Sequence, residues 1–148
     1  MNDLQELQKL VSVYTASILY IPIQSEIDYS NPLFVLKIPD KKFTLPKEKN
    51  SDPFELVFQC IDKFKNDKVL LLIPGKSFDK YGTRHGRGGG WFDRFLSEVP
   101  PEWLRIGVID KSGLSNSKLP KQEWDQVVDW VLIQDGSSWI AHKIYKTL

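Results

Sequence analysis

Glycine and arginine are concentrated in one stretch of this chain, residues 74–96, with the sequence PGKSFDKYGTRHGRGGGWFDRFL. Five glycines lie between Gly82 and Gly90, interleaved with a histidine and with Arg84 and Arg87. Because glycine has no Cβ and readily takes positive φ, successive backbone N–H groups can turn toward one anion. Arginine adds planar, forked donors that suit phosphate oxygens. The stretch therefore predicts a phosphate or nucleotide site.

The glycine pattern alone leaves two interpretations open. The stretch has neither the closing GK[ST] of a Walker loop nor the spacing of a dinucleotide fingerprint, so a bound phosphate and a flexible connection fit it about equally well. Asp93 follows in what reads as the first turn of a helix. Its carboxylate could hold Mg²⁺ against phosphates, or it could stabilise the helix dipole by about 0.3–1 kcal/mol. Both roles are compatible.

Other kinds of chemistry find little support in the sequence. The chain has only two histidines, His85 and His142, and one cysteine, Cys60, so no Ser-His-Asp or Cys-His pairing and no Cys/His metal motif is recognised. A separate hypothesis treats RHGRGGG as an RNA contact with Trp91 as a stacking platform. A net charge of +1 argues against it, because nucleic-acid binding depends on an excess of basic groups.

Length and composition predict one globular domain spanning residues 1–148, in which 41% of residues are hydrophobic and 26% charged. We expect no nucleic-acid and no membrane partner. The N-terminus lacks the basic start and apolar core of a signal peptide, and no apolar run is long enough to cross a bilayer, so we expect a cytoplasmic protein. Cys60 is interpreted as a packing residue within an apolar helical pattern.

The N-terminal half is expected to supply helices and strands in alternation. The spacing of apolar residues predicts a short helix over residues 3–13, strands over residues 17–23 and 33–38, and a short extended piece around Phe43. Asp52 is expected to cap the clearest helix, with Glu55 completing a capping box. One buried face of that helix is predicted to comprise Phe54, Val57, Phe58, Ile61 and Phe64.

The second half places the glycine-rich stretch between a strand and a helix. Residues 68–73 are apolar without alternation, as in a central parallel strand that is covered on both faces. A short helix should begin near Trp91, and strands are predicted over residues 104–109 and 127–133. The tail, residues 137–147, fits either a hairpin strand or a last helix. The predicted fold class is α/β, a three-layer sandwich around a mainly parallel sheet, with ligands at the carboxyl ends of the strands.

The glycine-rich stretch and its continuation resemble a known family. The pattern PG-x-x-FD-x-x-G-x-R-x-G-R-G-G-G-W-F-D-R-F-L is similar to the signature of the 5-formyltetrahydrofolate cyclo-ligases, also called 5,10-methenyltetrahydrofolate synthetases. The later segment LPKQEWDQVVDWVLI resembles the family's continuation and places Asp125 and Asp129 on its acids. Upstream, YIPIQSEID is similar to the strand and acidic turn that meet the pterin ring, which makes Glu26 a candidate folate contact.

The resemblance implies a C–N bond-forming ligase that uses ATP and Mg²⁺ to cyclise 5-formyltetrahydrofolate to 5,10-methenyltetrahydrofolate. Its partners would be a reduced folate and ATP, and the protein would be a monomer or weak homo-oligomer. The candidate catalytic residues are Arg84, Arg87 and Asp93, with Asp93 also the candidate metal ligand. The candidate nucleotide-binding residues are Gly86, Gly88, Gly89, Gly90, Trp91 and Phe92. The candidate substrate-binding residues are Glu26, Phe78 and Trp91, and an anchoring role in the core is the alternative for Phe78.

Several positions differ from the family pattern. Its first helix usually carries a lysine and, four residues later, an arginine that reach the nucleotide, whereas here Lys9 is followed at that distance by Val13. The usual pair of tyrosines is Trp91 and Phe92, which removes both hydroxyl groups. The alternative function is therefore a non-catalytic relative that binds a nucleotide or a folate.

Overall fold

The computed structural model of the protein describes residues 1–86 and 88–145. Its helices are α1 (Asp3–Val11), α2 (Pro53–Lys63) and α3 (Trp91–Ser97), with a 3-10 turn at Lys111–Gly113. Its strands are β1 (Ala16–Leu19), β2 (Lys42–Thr44), β3 (Val69–Pro74), β4 (Ser77–Phe78), β5 (Arg84–His85), β6 (Leu104–Asp110), β7 (Trp130–Asp135) and β8 (Ser138–Lys143).

Six of these strands form one sheet in the order β2-β1-β3-β6-β7-β8. All neighbouring pairs are parallel except β7 and β8, which are antiparallel. The strand β8 decides between the two alternatives for the tail in favour of a hairpin strand. Because the first five strands in this order run in the same direction, their carboxyl ends meet at one edge of the sheet.

The sheet separates two apolar cores, which gives the predicted three layers. Along β3, Val69 and Leu71 contribute to the core beneath α2 and α3, whereas Leu70 and Leu72 contribute to the core beneath α1. Every residue of β3 is buried. The prediction of an α/β fold with a central strand covered on both faces is confirmed.

The buried face of α2 differs from the predicted one. Val57, Cys60 and Phe64 are fully buried, but Phe58 is 55% and Phe54 37% exposed. Val57 and Phe64 are therefore buried as predicted, whereas Phe54 and Phe58 are turned toward solvent and Cys60 takes a place on the buried face. The predicted packing role of Cys60 is confirmed.

The helix caps also differ in detail from prediction. The Asp52 carboxylate accepts a hydrogen bond from the Phe54 N–H, so this helix end is closed by a single cap bond in place of the predicted capping box. A reciprocal capping box occurs instead at α1, where Asn2 and Gln5 exchange side-chain-to-backbone bonds of 3.0 and 2.8 Å. Such boxes satisfy two N–H groups that the helix leaves unpaired.

The predicted strand over residues 33–38 is wrong. This segment has no regular secondary structure and lies over the sheet, with Leu36 only 5% exposed and its neighbour Val35 accepting a hydrogen bond from the Gln8 side chain at 3.1 Å. Asn31 starts the segment with a turn, since its side chain accepts from the Leu33 N–H at 2.9 Å. Its apolar composition therefore reflects burial against a face of the sheet and not pairing at an edge.

Two other strands have different limits from those predicted. The strand β1 is shorter than predicted, and the chain turns soon after Pro22, where Gln24 has a φ of 51°. The strand β7 begins three residues later than predicted, because Val127 forms an isolated bridge with Thr83. No helix in residues 1–86 or 88–145 is long and apolar enough to span a membrane.

Candidate active site

A cleft of about 860 Å³ opens at the carboxyl ends of β1, β3 and β6. One wall comes from the loop after β1, another from the segment between β3 and α3, and a third from residues 112–125 after β6. The predicted site residues that line it are Glu26, Arg84, Gly86, Gly88, Gly90, Trp91, Phe92 and Asp93. The edge of the sheet predicted to carry the site is therefore the edge that bears this cleft.

The glycine-rich loop has a backbone that other residues rarely adopt. Gly88, Gly89 and Gly90 follow one another with φ values of 97°, 81° and 65°. In this left-handed region a Cβ is sterically disfavoured, so glycine is needed at each position for backbone geometry alone. Gly89 is not among the residues that line the cleft, and Gly90 is the N-cap of α3.

Phe78 anchors the start of the loop and does not line the cleft. Its side chain is 0% exposed and lies against Gly75 and Gly107. A Cβ at Gly107 would lie 2.5 Å from Phe78 Cε1, and one at Gly75 would lie 2.9 Å from Cε2. The candidate role of Phe78 as a substrate contact is therefore corrected to the alternative, a core anchor, because the ring fills the space that two glycines leave.

Asp79 ties the loop to a distant part of the chain. Its carboxylate is 0% exposed and accepts hydrogen bonds from the N–H groups of Tyr81 and Thr83 at 2.9 and 3.0 Å. The other oxygen accepts from the Leu119 N–H at 2.8 Å. Asp79 thus fixes the turn between β4 and β5 and holds the segment after β6 beside it.

Arg84 reaches the cleft along the ring of Phe92. The guanidinium carbon lies 4.6 Å from the centroid of that ring, and Nε donates to the Pro74 carbonyl at 2.5 Å. A Cβ at Gly86 would lie 2.7 Å from a terminal nitrogen of Arg84, so the absence of a side chain there leaves room for the guanidinium. These contacts hold the planar fork at the cleft surface, where arginine suits phosphate oxygens.

Two carboxylates, Asp93 and Asp125, meet at the cleft. Asp93 Oδ1 accepts from the Gln126 N–H at 3.0 Å, which brings the two acids to the same wall. Burial and the neighbouring carboxyl group of Asp125 raise the pKa of Asp93, although the Gln126 N–H and the positive charge of Arg84 oppose the shift. Both acids are half-buried. Neighbouring carboxylates of this kind favour a bound cation, and Mg²⁺ prefers hard oxygen ligands.

Glu26 lines the cleft from the loop after β1. One of its carboxylate oxygens accepts from the Ile23 N–H at 3.0 Å, and Tyr20 lines the cleft beside it. The Tyr20 hydroxyl donates to the Ile27 carbonyl at 2.6 Å, and burial raises its pKa. Tyr20 is therefore a neutral, bonded wall residue and no source of a proton.

The aromatic pair Trp91 and Phe92 is largely buried, with 6% and 8% exposure. The Trp91 ring stacks on Phe95 with centroids 5.5 Å apart, and its Nε1 donates to the Ser51 carbonyl at 2.9 Å. An RNA base could not stack on a ring covered in this way, which removes the structural basis of the RNA hypothesis. The pair is suited to a firm cleft wall.

Several residues that line the cleft are not among those predicted from the sequence. Lys47 and Lys49 enter from the loop between β2 and α2, and Trp124 lines the cleft while 67% exposed. No sequence pattern marks the two lysines as site residues, because nothing in the sequence indicates that their loop reaches α3. The candidate catalytic residue Arg87 lies outside the described residues.

The fold and the cleft define an α/β protein with a glycine-rich loop at the carboxyl edge of a mainly parallel sheet. Residues 16–134 match the model of the 5-formyltetrahydrofolate cyclo-ligase family. This match covers most of the chain. The chain belongs to this family, as the resemblance of its motifs indicated.

Individual relatives agree with the family match. The chain is 30% identical over 107 residues to 5-formyltetrahydrofolate cyclo-ligase of Escherichia coli K12, which covers 72% of this chain and 57% of that protein. It is 31% identical over 120 residues to the cyclo-ligase of Mycoplasma genitalium, covering 77% and 69% of the two chains. The chain thus spans little more than half the length of the Escherichia coli relative.

Solved structures with the same fold support the architecture. The 5,10-methenyltetrahydrofolate synthetase of Aquifex aeolicus superposes with a TM-score of 0.62 at 21% identity, covering 98% of this chain and 80% of that one. The synthetase of Mycoplasma pneumoniae gives a TM-score of 0.56 at 17% identity, covering 88% and 80%. At these identities the likeness establishes the fold.

Proposed function

We propose that the protein is an ATP-dependent 5-formyltetrahydrofolate cyclo-ligase. The observation that carries this proposal is one cleft that combines Arg84 and the glycine-rich loop with two adjacent carboxylates and with Glu26. Arg84, the glycine-rich loop and the two carboxylates are suited to a nucleotide phosphate with its cation. Glu26 is suited to the polar edge of a ring. Membership of the family adds the reaction class.

In the proposed reaction the formyl oxygen of 5-formyltetrahydrofolate attacks the γ-phosphorus of ATP. The bond from that phosphorus to the bridging oxygen breaks, and ADP leaves. The second folate nitrogen then attacks the activated formyl carbon and loses its proton, and inorganic phosphate leaves with the former formyl oxygen. Positioning and charge neutralisation supply most of the catalysis in transfers of this kind.

The residues of the cleft divide into three groups in this proposal. The N–H groups of the glycine-rich loop bind the phosphate chain, and Arg84 neutralises its charge together with Arg87. Asp93 and Asp125 would hold Mg²⁺, since their crowded carboxylates match a donor set that this ion accepts. When bound, the ion would neutralise further phosphate charge. Glu26 would accept hydrogen bonds from the folate ring, and Trp91 and Phe92 would exclude water from one side.

The experiment is a cyclo-ligase assay on the purified protein with Mg-ATP and 5-formyltetrahydrofolate, followed by the absorbance of the methenyl product. Product should form only when both substrates are present. The Arg84→Met variant should lose about 100-fold or more in kcat/KM, the range for removing one donor that stabilises transition-state charge. A folded parent protein that forms no product at high enzyme concentration would contradict the proposal.

A non-catalytic relative that binds a nucleotide or a folate is the second candidate function. Lys9 is exposed and is not among the cleft-lining residues, so it adds no charge to the site in this structure. Calorimetric titration with ATP and with 5-formyltetrahydrofolate separates the two candidates. Binding of either ligand without turnover would favour the second.

A further inference from the structure

Lys49 lines the cleft with a positively charged side chain, although no sequence motif includes it. Its Nζ lies 5.2 Å from the centroid of the Trp91 ring and 5.5 Å from that of Phe92. Cation–π contacts of this kind contribute about 0.5–1 kcal/mol at exposed sites and more when desolvated. They orient the ammonium group toward the same wall that carries Arg84.

The loop that carries Lys49 is fixed in place at both ends. Before it, Leu45 is 1% exposed within the core beneath α2 and α3. After it, the Ser51 carbonyl accepts the hydrogen bond from Trp91, and Asp52 caps α2. The Nζ of Lys49 also donates to the Pro46 carbonyl within the same loop. The position of Lys49 over the aromatic pair is therefore supported by the fold.

Lys49 and Arg84 form a pair of cations around one ring. The Nζ of Lys49 and the guanidinium carbon of Arg84 both lie within 5.5 Å of the centroid of Phe92. Burial and the charge of Arg84 lower the pKa of Lys49, while Glu26 opposes the shift. Two like charges held near each other raise the local positive potential, and an anion bound between them relieves their repulsion.

We propose that Lys49 is a binding residue of this cleft, which together with Arg84 takes an anionic oxygen group of a substrate. The inference rests on the proposed function, in which two substrates carry such groups: the phosphates of ATP and the carboxylates of the reduced folate. The adjoining glycine-rich loop favours the phosphate chain.

The test is calorimetric titration of three probes: inorganic tripolyphosphate, Mg-ATP and 5-formyltetrahydrofolate. The Lys49→Met variant should bind tripolyphosphate and ATP about tenfold more weakly, since one charge-assisted contact is lost. Lys49→Arg should retain most of the affinity. The matched control is Lys63→Met, because Lys63 lies 5.8 Å from the Phe64 ring and does not line the cleft. Circular dichroism verifies that each variant is folded.

The outcomes separate this inference from the proposed function. If only 5-formyltetrahydrofolate binds more weakly to Lys49→Met, the anionic group is a folate carboxylate and the role of Lys49 stands. Weaker tripolyphosphate binding in a protein that makes no methenyl product would keep the role of Lys49 and reject the cyclo-ligase. Unchanged affinities for all three probes, or a parent protein that binds none of them, would overturn the inference.

Discussion

Asp79 gives the sharpest prediction about how the site is held together. The change Asp79→Asn keeps one oxygen acceptor and replaces the other with an NH₂ group, which cannot accept. The bonds from Tyr81 and Thr83 can persist in neutral form, but the Leu119 N–H would face another donor. Hydrogen bonds to a charged group contribute about 1.5–3 kcal/mol each, and neutral ones about 0.5–1.5 kcal/mol. Because an amide is easier to bury than a carboxylate, part of this difference is offset. We therefore expect the unfolding free energy to fall by about 2–4 kcal/mol.

Urea unfolding measures this loss directly. With a slope of about 2 kcal/mol per molar urea, in the middle of the range for small proteins, the midpoint should fall by about 1–2 M. Asp52→Asn is the matched control, because asparagine and aspartate cap helices about equally well, and its effect should be a few tenths of a kcal/mol. Asp79 does not line the cleft, so weaker ATP binding in Asp79→Asn would arise from a displaced loop. Equal unfolding free energies for Asp79→Asn and the parent would refute the reasoning.

Three further predictions concern packing and protonation. Gly107→Ala should cost about 1–3 kcal/mol of unfolding free energy, because its Cβ would lie 2.5 Å from the Phe78 ring; a stability equal to that of the parent in thermal unfolding would contradict this. Phe64→Ala should cost about 3–5 kcal/mol, whereas Phe58→Ala should change stability by about 0.5 kcal/mol or less, and urea titrations giving equal losses would count against the orientation of α2. Burial raises the pKa of Asp93 above 3.8, so the folded state binds more protons than the unfolded state between that value and the raised pKa, and stability falls as pH rises through this window. Asp93→Asn should therefore unfold at a higher temperature than the parent at neutral pH and lose this advantage near pH 3.8; an advantage that grows on acidification would argue against the shift.

Features that are determined by contiguous residues could be predicted from the sequence. The uniformly apolar run before Pro74 indicated a strand covered on both faces, and β3 has that arrangement. The five glycines from Gly82 to Gly90 indicated a loop of unusual backbone geometry, and four of them have positive φ. In both cases the physical requirement acts on neighbouring residues, so a local pattern carries it.

Features that depend on tertiary contacts between distant segments of the chain could not be predicted. Lys49 reaches the cleft from a loop that is hydrogen-bonded to Trp91 of α3, and Asp79 bonds to Leu119 forty positions away in the chain. The apolar segment that contains Leu36 had the composition of a strand but is used to cover the sheet. Phe58 is apolar and was expected to be buried. The face of α2 that packs against the sheet decides its exposure, and residue type alone does not determine that face.

Transfer of the formyl oxygen to phosphate tests the central claim most directly. The protein would be incubated with Mg-ATP and 5-formyltetrahydrofolate labelled with ¹⁸O in the formyl group, and the released inorganic phosphate would be analysed by mass spectrometry. Phosphoryl transfer to the formyl oxygen in this cleft predicts that the phosphate carries the label, in proportion to the methenyl product formed. Methenyl product accompanied by unlabelled phosphate would contradict the proposed mechanism.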